Sequence, residues 1–288
     1  MLCNMRDMLN DAEKNKYAVG AFNTPNLETL RAVIDAAEEL NSPVILNHAQ
    51  AHQSIVDIAL IGPLMIEYAK KSKVPVCVHI DHGTDKTYLL NAIKMGFTSV
   101  MYDCSNLPFN ENMDAIASFV KDAHMMDITV EAELGVMPGN NKPGGCSEND
   151  VEESVDNYTN VEQARQFVAA TNVDALAISF GSVHCKSKDD INLVLDIERL
   201  KAIDAVTGSC KLVMHGGSGV SDEQMKLAIT NGIRKINYYT YMGIAPAGEI
   251  VKMVQSRNDM VYFHEIANLA QQIMNDRCKD AIKIFLNR

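Results

Sequence analysis

With 288 residues, 47% of them apolar, the chain can bury a substantial core, and disorder is not its expected state. A formal net charge of −11 without any basic stripe argues against a nucleic-acid backbone as the main partner. The seven cysteines are odd in number and form no CxxC pair, so neither a disulfide framework nor a thiolate zinc site is expected.

The N-terminal MLCNMRDMLNDAEKNK lacks the apolar centre of a signal peptide, which predicts a cytoplasmic protein. Strand-like YAVGAFN is followed by helical LETLRAVIDAAEEL and a second strand, SPVILNH. The next apolar stretch, IALIGPLMI, is bounded by Asp57 and Glu67 and is too short to span a membrane. A third strand, VPVCVHID, precedes helical KTYLLNAIKMG, and a fourth, FTSVMYD, precedes NMDAIASFVKDAHMM. After the fifth strand, ITVEAEL, comes the longest irregular stretch, GVMPGNNKPGGCSENDVEESVDNYTN, which reads as a mobile lid or a tolerated insertion. Helical VEQARQFVAATN, strand VDALAISF, helical DIERLKAIDAVTG, strand CKLVMHG, helical DEQMKLAITNG and strand IRKINYY complete the series. The closing HEIANLAQQIMNDRCKDAIKIFLN predicts one or two further helices, packed outside the sheet or against a partner.

Eight strand–helix units in series predict an α/β fold, a (β/α)8 TIM barrel with extra C-terminal helices. No composition shift marks a linker, so residues 1–288 are expected to form a single domain. In such a barrel the active site lies at the carboxyl ends of the strands.

His82, His184 and His215 each close an apolar run at that end. Three imidazoles converging there, with one coordination position open, would make a catalytic zinc site. Three unrelated core or loop histidines are the bland alternative, which their equivalent positions disfavour. Asp81 precedes His82, and both can reach one site only where the strand ends and turns, which the following Gly83 permits. Asp81 could then shuttle a hydroxyl proton, or instead cap the helix beginning near Thr84. Glu131 and Glu133 alternate along the fifth strand and share one face. Asp103 and Glu133 are candidates for a second metal position or for holding the histidines. His215-Gly216-Gly217-Ser218-Gly219 offers backbone amides near a helix start, and Asn237 and Thr240 add donors, so an anion site is expected there. Together these residues suggest a metal enzyme acting on a small phosphorylated molecule.

YAVGAFN, the DHG of HIDHG, GFTSVMYDCS, VEAELG, SFGSVH, HGGSG and KIN resemble the class II, zinc-dependent ketose-bisphosphate aldolases, in the tagatose- and fructose-bisphosphate branch. The resemblance runs from the N-terminus to the CKDAIKIF close. It implies reversible aldol cleavage of a phosphorylated ketose, by default fructose or tagatose 1,6-bisphosphate, to dihydroxyacetone phosphate and an aldehyde. Another sugar phosphate or sugar-acid phosphate, or a member that binds without turnover, is the alternative. The resemblance implies zinc held by His82, His184 and His215, with Asp103 and Glu133 matching the alternative metal position. Asp81 matches the acid/base at the C4 hydroxyl. Asn23 matches a substrate-contacting asparagine, and Gly216, Gly217, Ser218, Asn237 and Thr240 match phosphate and triose contacts. Glu148 is the candidate lid carboxylate that moves the triose proton. A monovalent cation, sodium or potassium, and a homodimer or homotetramer are also implied.

Departures from the family pattern concern the substrate side. Cys185 stands where a glycine usually lets the backbone approach the phosphate, and Tyr239 replaces a small polar residue. On the second strand, Asn47-His48-Ala49-Gln50-Ala51 replaces a serine–glycine pair, which leaves His48 and His52 as rim residues or substrate contacts. A metal-dependent hydrolase barrel is disfavoured, because Asn23-Thr24-Pro25 stands where such barrels carry an HxH pair.

Overall fold

A computed structural model describes residues 1–136, 157–183 and 193–287. The eight apolar runs form β1 (Val19–Asn23), β2 (Val44–Ala49), β3 (Val76–Gly83), β4 (Ser99–Tyr102), β5 (Thr129–Leu134), β6 (Ala175–Ile178), β7 (Lys211–Met214) and β8 (Ile233–Tyr238). They pair in parallel, each with its chain neighbour, and β8 returns to β1 to close the barrel. The predicted (β/α)8 architecture is therefore present.

The helices are α1 (Met5–Asn15), α2 (Leu27–Glu39), α3 (Ile58–Lys71), α4 (Lys86–Met95), α5 (Phe109–His124), α6 (Val161–Thr171), α7 (Ile197–Thr207), α8 (Asp222–Thr230), α9 (Thr240–Ser256) and α10 (Phe263–Phe285). Side-chain caps explain many of their starts: Asn26, Asp85, Asn160, Asp196 and Ser221 each accept from an amide of the following first turn. Asp85, not Asp81, is the cap of α4, which leaves Asp81 for other work. The C-terminal run is one helix, α10, packed against α2 and α9. Among the described residues no helix is long and apolar enough to cross a membrane.

Alternation along the strands sorts side chains into an outer and an inner set. In β2, Val44 and Leu46 join the outer core beneath the helices, whereas Ile45 faces inward. The inner set is layered along the barrel axis. At the amino end, Val19, Ala21, Ile45, Cys77, Ala175, Ala177 and Val213 pack against Met5, Met8, Leu9 and Ala12 of α1. Those four residues recur at helical spacing, so α1 offers one apolar face, and it covers the amino end of the barrel. Above this apolar layer the inward positions turn polar: His79, Glu131 and Lys235, all with no exposed surface. Asp81, Glu133 and Asn237 follow two residues further along the same strands, at the carboxyl end.

Candidate active site

Asp81 and His82 are consecutive, yet both face the barrel mouth, because β3 breaks its alternation there. The β3–β4 register shifts between Ile80 and Gly83, and His82 adopts a left-handed backbone with φ of 47°. A bulge of this kind re-aims a side chain, and a non-glycine residue at positive φ is held only by its surroundings. The turn is thus made at His82 itself. Gly83 is required for space: a Cβ would lie 2.4 Å from Leu89 Cδ2 and 3.0 Å from the Met101 carbonyl.

The rings of His82 and His215 meet edge to face, with centroids 4.7 Å apart. His82 Nδ1 lies 2.8 Å from Asp103 Oδ2 and 3.9 Å from Glu133 Oε2. His215 Nδ1 is 3.3 Å from Glu133 Oε2, while its Nε2 is 2.9 Å from Glu131 Oε1. Ser105 donates to Asp103 Oδ1 through its amide and hydroxyl at 3.1 and 2.7 Å, which fixes that carboxylate. Asn237 Nδ2 donates to Asp81 Oδ1 at 2.9 Å and ties β8 to β3 across the mouth.

Two overlapping sets of ligand atoms, Asp81/His82/His215 and His82/Asp103/Glu133, each lie within 4.8 Å of one another. Imidazole nitrogens and carboxylate oxygens in this arrangement suit a divalent cation such as zinc. The electrostatics agree. Burial opposes charging of His82, but Asp81, the Asp103 hydrogen bond and Glu133 outweigh it and hold its pKa up to about 10. A pocket that draws in a proton so strongly is an attractive site for a cation. His184, Cys185 and Glu148 lie outside the described residues.

Sequence reasoning missed the layer below. Lys235 Nζ is 2.8 Å from Glu131 Oε2, and His79 Nε2 is 3.6 Å from the same oxygen. His79 Nδ1 meets Ser99 Oγ at 2.7 Å. Burial opposes ionisation of Glu131, but Lys235, His215 and His79 outweigh it and bring its pKa down to about 2. Glu131 therefore stands as an anion, clamped by Lys235, that accepts from the ring of His215. The signal was the alternation itself, which puts Lys235 two residues before Asn237 on the inward face of β8.

At the expected anion site, Gly216 has φ of 66°, and a Cβ there would lie 2.3 Å from the Val183 carbonyl. Glycine is obligatory for that approach. The Gly217 amide donates to the Asn237 carbonyl at 3.0 Å, which corrects the expectation that this amide is offered to a ligand. Ser218 is buried, and its hydroxyl accepts from the Tyr241 amide at 3.5 Å, at the start of α9. The loop therefore joins the N-terminus of α9, where Thr240 is the first helical residue and the dipole favours anions. Asn23 is half-buried at the end of β1, opposite Asn47.

The family model for "Fructose-bisphosphate aldolase class-II" matches residues 3–288. The chain is 37% identical over 263 residues to a probable fructose-bisphosphate aldolase of Bacillus subtilis, covering 90% of this chain and 88% of that one. It is 39% identical over 249 residues to a 6-phospho-5-dehydro-2-deoxy-D-gluconate aldolase of Shouchella clausii, covering 84% and 80%. Among solved structures, the YdjI aldolase of Escherichia coli K12 superposes with a TM-score of 0.84 at 33% identity, covering 99% and 97%.

Proposed function

From the premise that the chain belongs to the class II fructose-bisphosphate aldolase family of metal-dependent lyases, we propose that it is a zinc enzyme for reversible aldol cleavage of a phosphorylated ketose. Its products would be dihydroxyacetone phosphate and an aldehyde, with fructose or tagatose 1,6-bisphosphate as the default substrates. The observation that carries this reading is the turned end of β3, which presents Asp81 beside the imidazoles of His82 and His215. Residues 1–288 would work as one domain.

His82, His184 and His215 would hold the zinc, with Asp103 and Glu133 offering a second position. The metal supplies Lewis-acid charge for the ketone oxygen. Asp81 would accept the C4 hydroxyl proton during cleavage and return it during condensation. Burial opposes its ionisation, but the charges of His82, His215 and Lys235 outweigh this and hold the carboxyl well below the usual range, so it stands ready as an acceptor. Asn237 orients it through the 2.9 Å hydrogen bond. The triose phosphate would sit against Gly216, Ser218 and Thr240, close to the start of α9, with a monovalent cation ordering the loop. Asn23 would contact the substrate from β1, Cys185 would flank the phosphate, and Glu148 would move the triose proton.

The Shouchella clausii relative, named for a different phosphorylated sugar acid, favours keeping a second substrate class in view. Exposed Ile244, Val251 and Val254 form an apolar stripe along α9, which supports a homodimer or homotetramer. A cytoplasmic location fits the composition.

The deciding experiment is cleavage by zinc-loaded protein of a panel of ketose 1-phosphates and 1,6-bisphosphates, read as dihydroxyacetone phosphate release. Asp81→Ala should lose about 10²–10⁴-fold in rate while keeping its zinc. Failure to cleave any member with zinc bound would overturn the reading.

A further inference from the structure

Three rings cross the carboxyl end of β1. His48 lies on β2, His52 in the short 3-10 helix Gln50–Ser54 that follows, and Tyr239 between β8 and α9. Ring centroids are 6.3 Å apart for His48 and His52, and 5.5 Å for His52 and Tyr239. Because β1 stands between β2 and β8, this row spans the strand that ends in Asn23. Gly243 leaves room for the phenol: a Cβ there would already be 3.3 Å from Tyr239 Cζ.

The row is built of polar groups that the protein leaves unused. His48 is fully buried, and among the described residues neither of its ring nitrogens has a partner. Nδ1 of His52 and both polar side-chain atoms of Asn47 are likewise buried without partners. Such groups are costly unless something completes them. They also border the reacting centre: Ala49 pairs with Asp81 in the β2–β3 register, and the Asp81 charge acts on both imidazoles. If the triose half occupies the β7 and β8 loops and Asp81 serves the C4 hydroxyl, the remaining carbons leave Asp81 on the side of β2.

Burial pushes the His48 pKa down to about 4, with His52 adding to it, and burial lowers that of His52 as well. Both imidazoles are therefore neutral near pH 7, each with one donor and one acceptor, and the phenol has the same pair. A hydroxyl group also gives and accepts one hydrogen bond. None of the three rings holds a fixed positive charge, and the nearby Asp81 repels anions.

We propose that His48, His52 and Tyr239 form the wall that recognises the aldehyde-derived half of the substrate, and that this wall selects hydroxyl groups rather than a second phosphate, which favours ketose 1-phosphates over the 1,6-bisphosphate defaults. The proposal rests on the aldolase reading, whose failure is visible separately. Zinc-loaded wild-type, His48→Leu, His52→Leu and His52→Gln proteins are compared in condensation of dihydroxyacetone phosphate with glyceraldehyde, lactaldehyde or glyceraldehyde 3-phosphate. Solvent-deuterium exchange of dihydroxyacetone phosphate alone reports the triose half-reaction, and equal zinc content controls for folding. Wild-type kcat/KM should favour glyceraldehyde over lactaldehyde, which lacks the terminal hydroxyl, by roughly tenfold. Both leucine variants should erase that preference relative to their exchange rates, and His52→Gln should restore part of it. Equal losses with glyceraldehyde and lactaldehyde would reduce the rings to a structural role and overturn the proposal. So would a wild-type preference for glyceraldehyde 3-phosphate that the variants abolish. Absence of exchange in the wild type would instead overturn the aldolase reading beneath it.

Discussion

The amino end of the barrel is closed by α1, whose Met5, Met8, Leu9 and Ala12 are each at most 5% exposed among apolar neighbours. The carboxyl end crowds Asp81, Asp103 and Glu133 around two imidazoles, a cluster whose negative charge is balanced by a proton on His82 or by a cation. One end buries apolar surface; the other concentrates buried charge suited to binding. Between them, His79, Glu131 and Lys235 face both ways, touching the apolar layer below and His215 above. The contrast teaches that stability and reactivity are separated along the strand axis, and that a single charged layer couples them.

The sharpest way to test the contrast is to strip the metal. A chelator should abolish cleavage. Zinc at a hundredfold excess over its Kd should then return about 2.7 kcal/mol of stability. For a chain of 288 residues that is a rise in Tm of about 4–5 °C, measurable by calorimetry. If the stripped protein keeps both its activity and its Tm, the upper end is not a metal site.

Lys235→Met attacks the coupling layer. Leaving Glu131 buried without its cation should destabilise by about 3–5 kcal/mol. The double change Glu131→Gln with Lys235→Met should recover most of that loss, yet still weaken zinc affinity through the freed His215 ring. Urea unfolding and chelator competition measure the two effects; a double variant no better than the single one would refute the ion-pair account.

Leu9→Ala should cost about 3 kcal/mol at the apolar end, with kcat/KM and zinc affinity close to wild type. A matching loss of zinc affinity would show that the two ends are not separable.

The smallest effect concerns Glu13, which meets Arg234 Nε at 2.7 Å on the barrel's outer face. Partial burial opposes its ionisation, but hydrogen bonds from Arg234 and Lys16 outweigh this and bring its pKa down to about 2. A depressed carboxyl stabilises fully above its unfolded pKa, and this contribution is lost as pH falls from about 4.5 towards 2. Because the Glu13 side chain is 36% exposed, solvent screening limits the contribution to about 1 kcal/mol. Glu13→Gln should therefore lose up to that amount at pH 7, differ little from wild type near pH 2, and flatten the stability profile between, as urea unfolding across that range measures.

The strands and seven of the helices were legible because each apolar period is set locally. Three helices were not. In α1 the spacing of Met5, Met8, Leu9 and Ala12 is helical, but nothing in a short polar segment says that it will close a barrel. IALIGPLMI of α3 is apolar on too many sides to show a period, and it contains Pro63. Pro246, Gly243 and Gly248 argue locally against α9, which forms nonetheless with Met242 and Pro246 buried. In the site, Asp81, Asp103, Glu133 and His215 could be placed because each ends a strand. Lys235 could not, because a lysine in IRKINYY reads as exposed until the barrel closes and brings Glu131 opposite it. The row of His48, His52 and Tyr239 joins residues almost two hundred positions apart, a proximity that only the β8–β1–β2 closure creates.

The left-handed backbone at His82 reaches beyond catalysis, into what this chain can become by mutation. A β-branched or bulky replacement there would inherit a conformation costing on the order of 1–3 kcal/mol. Glycine or asparagine would relieve that strain but remove the imidazole. Position 82 therefore has no single-step neighbour that improves the fold and preserves the site.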